Sequence, residues 1–335
     1  MQINRRDFLK WITASAAALG LTSLDLVKVE QALAASTSPP VIWLQGAMCT
    51  GCSISLLNAA NPTIDDVLLN KVSVKYHPNL AAAAGDLAVT SIIDTSDKYA
   101  GEFILCIEGG IPTGVNGKYC VIADKGGKDW TMLDAVNELG SKAKYVIAVG
   151  TCAAFGGVVK PSTYTGIKTV AQVLKGKTKN TIINLPSCPV HPNVMVGTIV
   201  TLLTKGMPRL DRYGRPVEYY TTYVHNNCPR RHTTMVDQYG KFGCYKGIGC
   251  KGPSTVFTCP LLKWNNGVNW CIDKANMQCI SCASPTFPAG PFYYGGMGDM
   301  GSHSMSSGGM GSGEMGSGGT TSGGTGSGGM SSGGM

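Results

Sequence analysis

The residues able to do chemistry in this chain are overwhelmingly cysteines. There are thirteen in 335 residues, and most fall into three groups. The first joins the pair Cys49-Thr-Gly-Cys52 to Cys152, in GTCAAFGG, and Cys188, in LPSCPVHP. The second is His225-Asn-Asn-Cys228 followed by Cys244 and Cys250. The third is Cys259 with Cys271, Cys279 and Cys282, the last three inside the thirteen residues WCIDKANMQCISC. Thiols at this density pair as disulfides, bind metal or react. A lone C-x-x-C is a redox disulfide, a zinc half-site or a cluster half-site. Four thiolates in one crevice suit zinc or an iron–sulfur cubane, and one imidazole with three thiolates is commoner for zinc. Glycines beside the first set (Gly51, Gly150, Gly156, Gly157) would let backbone N–H groups approach inorganic sulfide, which favours the cluster there. Cys106 and Cys120 sit in apolar runs and read as buried, inert thiols.

The elements that must carry these thiols are strands. Apolar runs 41–45, 72–76, 103–107, 145–149 and 181–185 alternate with helical patterns near 53–60, 80–94, 129–140 and 167–175. Such alternation predicts an α/β fold with a doubly wound parallel sheet, and ligands of such sheets lie beyond the strands' carboxyl ends. Cys49 and Cys52 follow the first strand, Glu108 the third, Cys152 the fourth and Cys188 the fifth. From about 208 to 291 periodicity fades into Gly, Pro, Asn and Cys, so that stretch needs something besides secondary structure, such as bound metal, to hold it. Beyond Tyr294 the chain is Gly, Ser, Thr and Met, with no aromatic residue. Such a tail buries no core and is expected to be disordered, with a flexible tether favoured over thioether binding of Cu(I).

Asn4-Arg5-Arg6-Asp7-Phe8-Leu9-Lys10, an apolar run to Leu24 and Ala32-Leu33-Ala34 form a twin-arginine signal with its cleavage site, so residues 1–34 are expected to direct export of a prefolded chain. Loading thiols with metal before export agrees better with this length than a disulfide framework, which belongs to small domains. The formal charge of +8 is scattered, without a long basic run, and nucleic-acid binding is not supported. Only 14% of residues are charged, consistent with surface covered by a partner.

VIWLQGAMCTGCSISLLN, EGGIPTG, GTCAAFGGV, LPSCPVHPNV, HNNCPRRH and CISC together resemble the small subunit of the nickel–iron hydrogenases, over about residues 40–288. A subunit of respiratory complex I shares the first set of cysteines but lacks the later ones. The resemblance implies a flavodoxin-like domain (40–206) followed by a cluster-binding domain (207–292), with the tail at 293–335. It implies a proximal [4Fe–4S] cluster on Cys49, Cys52, Cys152 and Cys188. A distal [4Fe–4S] cluster falls on His225, Cys228, Cys244 and Cys250, and a medial cluster between the two. The medial cluster is [3Fe–4S] in most members. A proline there occupies the position where this chain has Cys271, so Cys259, Cys271, Cys279 and Cys282 are expected to hold [4Fe–4S]. Oxygen-tolerant members carry two further cysteines at positions that here are Gly51 and Gly157, so an ordinary proximal cubane is expected. The implied function is electron transfer in an exported hydrogenase. The nickel–iron site lies in a separate large subunit, and a cytochrome or other carrier accepts electrons. Glu108 is expected at the large-subunit face with a role in polar contacts or proton movement, a purely structural carboxylate being the alternative. No membrane span remains after signal removal. The rival readings are an iron–sulfur subunit of another oxidoreductase and a zinc-stabilised binding protein.

Overall fold

A computed structural model describes residues 38–290 except 61, 161, 162, 265, 266, 268–270, 273 and 289. The signal segment and the Gly/Ser/Met-rich tail lie outside the described residues. Five strands form a parallel sheet: β1 (Pro40–Gln45), β2 (Ser73–Tyr76), β3 (Ile104–Glu108), β6 (Tyr145–Val149) and β7 (Ile183–Leu185), in the order β2-β1-β3-β6-β7. Counting parallel strands alone, that is 2-1-3-4-5, the flavodoxin-like winding, whose order reverses between β1 and β3. A small antiparallel ribbon, β4 (Val121–Asp124) with β5 (Asp129–Thr131), stands apart. Its turn runs through Gly126 and Gly127, both at positive φ. Residues 129–131, expected to open a helix, are therefore strand.

The strands are apolar at nearly every position because both faces are covered. Side-chain alternation divides them between two cores. Val41, Trp43, Ile104, Cys106, Ile147, Val149, Ile183 and Leu185 face one core. Ile42, Leu44, Leu105, Ile107, Val146 and Ala148 face the other. The second core is closed by α3 (Gly85–Lys98), α4 (Met132–Lys142) and α6 (Val170–Val173). Capping boxes start two of these helices: Thr131 with Asp134, and Thr169 with Gln172.

The first core is closed by α1 (Gly51–Leu56) and α7 (Pro192–Thr204), and by residues of the later stretch, Tyr219, Tyr220, Val224, Phe257, Ile272 and Cys279. That later stretch contains little regular structure. It has 3-10 turns at Val224–Asn227, Tyr245–Ile248 and Gly252–Ser254, and the four-residue α8 (Cys259–Leu262). The remaining helices are α2 (Ile64–Asp66) and α5 (Gly150–Phe155). Among the described residues no helix is long and apolar enough to cross a membrane.

Candidate metal centres

The first group of cysteines gathers where β1 and β3 end and the strand order reverses. Cys49 and Cys52 flank the entry to α1. Thr50 between them takes a left-handed φ of 63° and offers no side-chain cap. The free N–H groups of a helix start need acceptors, and Glu108, the last residue of β3, supplies them. Its Oε1 accepts from Cys52 N at 3.1 Å and Ser53 N at 3.3 Å. Its Oε2 accepts from Ser53 Oγ at 2.5 Å, and from Trp43 Nε1 and Gln45 Nε2, each at 3.2 Å. Glu108 was expected in the loop after its strand. It is instead inside the strand and 1% exposed, clamping the C-x-x-C loop to the sheet. Ser53 Oγ also meets His77 Nε2 at 3.1 Å, while His77 Nδ1 accepts from Asn79 N.

Cys152 lies in α5, which follows β6 without a loop, and Cys188 follows β7. Burial pushes the Cys188 thiol up to about 11, and Cys152 and Cys49 add to the rise. Cys52 and Cys152 are raised by burial as well. Cys188 and Cys152 act on Cys52, Cys49 acts on Cys152, and Glu108 acts on both. All four expected proximal residues are thus mutual neighbours. Backbone N–H groups point at their sulfurs: Val190 N donates to Cys52 Sγ at 3.3 Å, and those of Val158 and Val159 serve Cys152. Glycines shape the cradle. A Cβ on Gly150, at φ 79°, would stand 2.5 Å from Cys52 Sγ. A Cβ on Gly51 would stand 3.1 Å from Cys49 Sγ, and one on Gly157 would stand 3.0 Å from Cys152 Sγ.

The second group, His225, Cys228, Cys244 and Cys250, lines one small pocket. Arg230 joins them, and the sequence offered no sign that it would. It is 3% exposed, and its Nη2 donates to Asn276 Oδ1 at 2.6 Å. Its guanidinium also packs against the Phe242 and Tyr245 rings, at 5.4 and 5.1 Å. Nε and Nη1 are buried with no protein partner among the described residues. A buried cation with idle donors is costly, so the cavity wants an electron-rich, acceptor-bearing occupant. The Arg230 backbone already donates to Cys228.

In the third group, burial pushes Cys271 up to about 11, although the residue as a whole is exposed, and raises Cys279 and Cys282 to about 12. Cys279 acts on Cys271, Cys282 on Cys279, and Cys271 on Cys282. Cys259 opens α8, buried in the same core as Cys279. This group touches both others. The Cys188 backbone donates to the Cys282 thiol, and Thr151 Oγ1 donates to Cys282 O at 2.5 Å. On the other side, a Cβ on Gly252 would lie 3.5 Å from Cys250 Sγ and 3.7 Å from Cys279 Cβ. The sites therefore run in the spatial order first, third, second. His191 reinforces the first junction. Its Nδ1 accepts from Asn193 N at 3.2 Å as the cap of α7, so Nε2 carries the proton donated to Lys263 O at 2.6 Å. Burial holds that imidazole down at about 4, so it stays neutral.

None of the thirteen cysteines is joined in a disulfide. Cys106 is wholly buried in β3, whereas Cys120 is only half-buried. Among the described residues no three His, Cys, Asp or Glu side chains converge as donors of a single metal ion. Zinc needs its donors about 2.0–2.3 Å from one point. Backbone N–H groups trained on the sulfurs of Cys52 and Cys152 are the surroundings an iron–sulfur cluster calls for.

Comparison with known proteins agrees with this donor set. The profile of the NADH ubiquinone oxidoreductase 20 kDa subunit family matches residues 49–202, and that of the C-terminal domain of the NiFe/NiFeSe hydrogenase small subunit matches 220–293. A twin-arginine translocation signal profile matches 2–22. The chain is 37% identical to the periplasmic [NiFeSe] hydrogenase small subunit of Desulfomicrobium baculatum, over 88% of this chain and 99% of that one. It is 39% identical to the periplasmic [NiFe] hydrogenase small subunit 1 of Nitratidesulfovibrio vulgaris, over 87% and 93%. A reduced, active form of the Ni-Fe-Se hydrogenase from Desulfomicrobium baculatum superposes with a TM-score of 0.72 at 38% identity, covering 77% of this chain and 99% of that one. The chain belongs to the small subunits of the nickel–iron hydrogenases, which pair with a large subunit, and it carries the signal for export to the periplasm.

Proposed function

We propose that this member of the hydrogenase small subunits relays electrons between its large-subunit partner and an external acceptor, a cytochrome or another carrier, through three iron–sulfur clusters. Cys49, Cys52, Cys152 and Cys188 hold the proximal [4Fe–4S] cluster. Cys259, Cys271, Cys279 and Cys282 hold a medial [4Fe–4S] cluster, and His225, Cys228, Cys244 and Cys250 the distal one. A bound cluster supplies one-electron storage at each site. The chain's own residues exclude water, neutralise thiolate charge with backbone N–H groups and keep the sites adjacent. The observation that carries the reading is that adjacency: Cys282 rests on the Cys188 backbone, and Gly252 lies between Cys250 Sγ and Cys279 Cβ. The proximal-bearing part is 40–206 and the part bearing the other two is 207–292.

The face around Cys49 is the one that meets the large subunit. That residue is exposed, and Ile54, Leu57 and Leu80 nearby are about half or more exposed around an apolar cleft. Large apolar surface of this kind marks an interface. Buried Glu108 serves the proximal site by fixing its loop, which favours the structural carboxylate over a proton-carrying group.

The test is iron analysis and redox titration followed by electron paramagnetic resonance on the intact nickel-containing complex. Three cluster couples, with about twelve irons per small subunit, are expected. Two couples, or visible absorbance that dithionite does not bleach, would defeat the reading.

A further inference from the structure

The surface outside the distal residues is almost purely cationic. Between Tyr219 and Ile272, apart from buried Arg230, the chain carries five Lys and Arg residues at least partly exposed (Arg231, Lys241, Lys246, Lys251, Lys263) and one acid, Asp237. That acid is engaged by Lys241 at 3.1 Å. Arg231, His232 and Lys246 are exposed. Two of the cations stand beside His225: Lys246 lines the same pocket, and Arg231 Nη1 donates to Asn226 O at 3.3 Å, one residue along the chain. Three apolar side chains stand out of the same stretch: Phe242 is 72% exposed, Met235 59% and Tyr223 47%.

We propose that this surface docks an electron-carrier protein whose redox group is rimmed by carboxylates. The proposal rests on the reading of His225 as the end of the electron path. A carrier collecting electrons there must bring its own group against the half-buried imidazole. Opposite-sign rims steer that encounter and fix its orientation, while a few scattered apolar contacts leave it short-lived. A basic carrier would meet Arg231 and Lys246 at the point of closest approach. A lipid surface is disfavoured, because the stretch presents short 3-10 turns and isolated side chains among the described residues, not an amphipathic helix.

The electron count is simple. One H2 oxidised in the large subunit yields two protons and two electrons, and two ferric haem proteins each take one. The test uses the intact two-subunit enzyme under H2 with a single haem probe in two charge forms: basic mitochondrial cytochrome c, and the same protein with its lysines succinylated. The wild type should reduce the acidic form faster, with an advantage that shrinks as salt rises from about 10 to about 200 mM. In Arg231→Glu/Lys246→Glu the acidic form should slow by about tenfold at low salt and the basic form should speed up. Exchange of D2 with water protons, which needs no electron exit, should be unchanged.

Faster reduction of the basic form by the wild type, or rates that ignore the charge reversal, would overturn the proposal. So would charge reversal that abolishes binding to phosphatidylglycerol vesicles while sparing both cytochrome rates, since the surface would then be a membrane contact. If D2 exchange persists but neither cytochrome nor a viologen dye is reduced, the electron-path reading itself falls, and the proposal with it.

Discussion

The proximal cysteines are presented by a sheet and the medial and distal ones by turns, and the two halves of the molecule differ accordingly. Cys49, Cys52, Cys152 and Cys188 hang from the ends of β1, β6 and β7, whose ladders run unbroken through Gln45–Glu108 and Glu108–Val149. Those loops have positions whatever lies between them. Cys228, Cys244, Cys250 and Cys259 begin, end or adjoin elements of three or four residues, and much of the backbone around them makes only single turn bonds. Loop backbone of that kind costs about 1–2 kcal/mol of entropy per residue to order. A metal group that bonds three or four side chains at once, as proposed for both sites, would offset it. On the proposed ligand sets, one protein would hold similar inorganic groups by two strategies, a scaffold that precedes the metal and a scaffold that requires it.

Iron removal is the hardest blow to that contrast. Stripping the complex with dithionite and a chelator should raise amide exchange across residues 219–284 by orders of magnitude, read by mass spectrometry, while β1, β3 and β6 remain protected. If the sheet peptides exchange as fast as the turns, the two regions form one cooperative unit and the contrast collapses.

A substitution in the rigid half should come next in size. Gly150→Ala places a Cβ 2.5 Å from Cys52 Sγ at a backbone angle that disfavours side chains. H2-dependent dye reduction should fall about a hundredfold or more, with the proximal signal lost. Gly176→Ala, at φ 71° with open space around its Cβ, carries the backbone strain without the clash and should retain activity. Equal loss in both would assign the effect to strain alone.

In the turn-built half, composition should hinge on a side chain. The wild type, oxidised without air, should show no stoichiometric [3Fe–4S]⁺ resonance, whereas Cys271→Pro should acquire one with a raised medial potential. A full-strength signal in the wild type would make Cys271 a bystander. The smallest effect concerns charge. Arg230→Gln removes a buried cation lining the distal cavity, so the distal potential should drop by on the order of 60 mV, one tenfold step for a one-electron couple. Arg230→Lys should recover most of it. An unmoved potential in the Gln variant would mean that the idle guanidinium donors face elsewhere.

The same division governs what could be read beforehand. Strands β1, β2, β3 and β6 lie within one residue of their expected bounds, because doubly covered parallel strands are continuous apolar runs. The ribbon β4–β5 was missed, although Gly126-Gly127 between short β-rich segments is a hairpin signal. Helix α7 was missed too, although Pro192 stands at its first turn, where proline is favoured. Cysteine spacing suggested the three groups, since ligands to one site recur in local pairs. What spacing could not convey was the support. Glu108 caps a helix that begins 57 residues earlier in the chain, His191 reaches Lys263, and Arg230 turns inward beside an exposed Arg231. Each depends on tertiary placement and leaves no local pattern.

The shared core has a consequence for quality control. One face of the sheet, with Trp43, Ile104, Ile147 and Leu185, is sealed partly by Tyr219, Tyr220, Phe257 and Ile272 from the turn-built stretch. If that stretch depends on its clusters as proposed, a chain without iron would leave this face of the sheet open to water and to any protein that binds apolar surface. Cluster loading would then be legible on the outside of the molecule, as apolar area withdrawn from its surface.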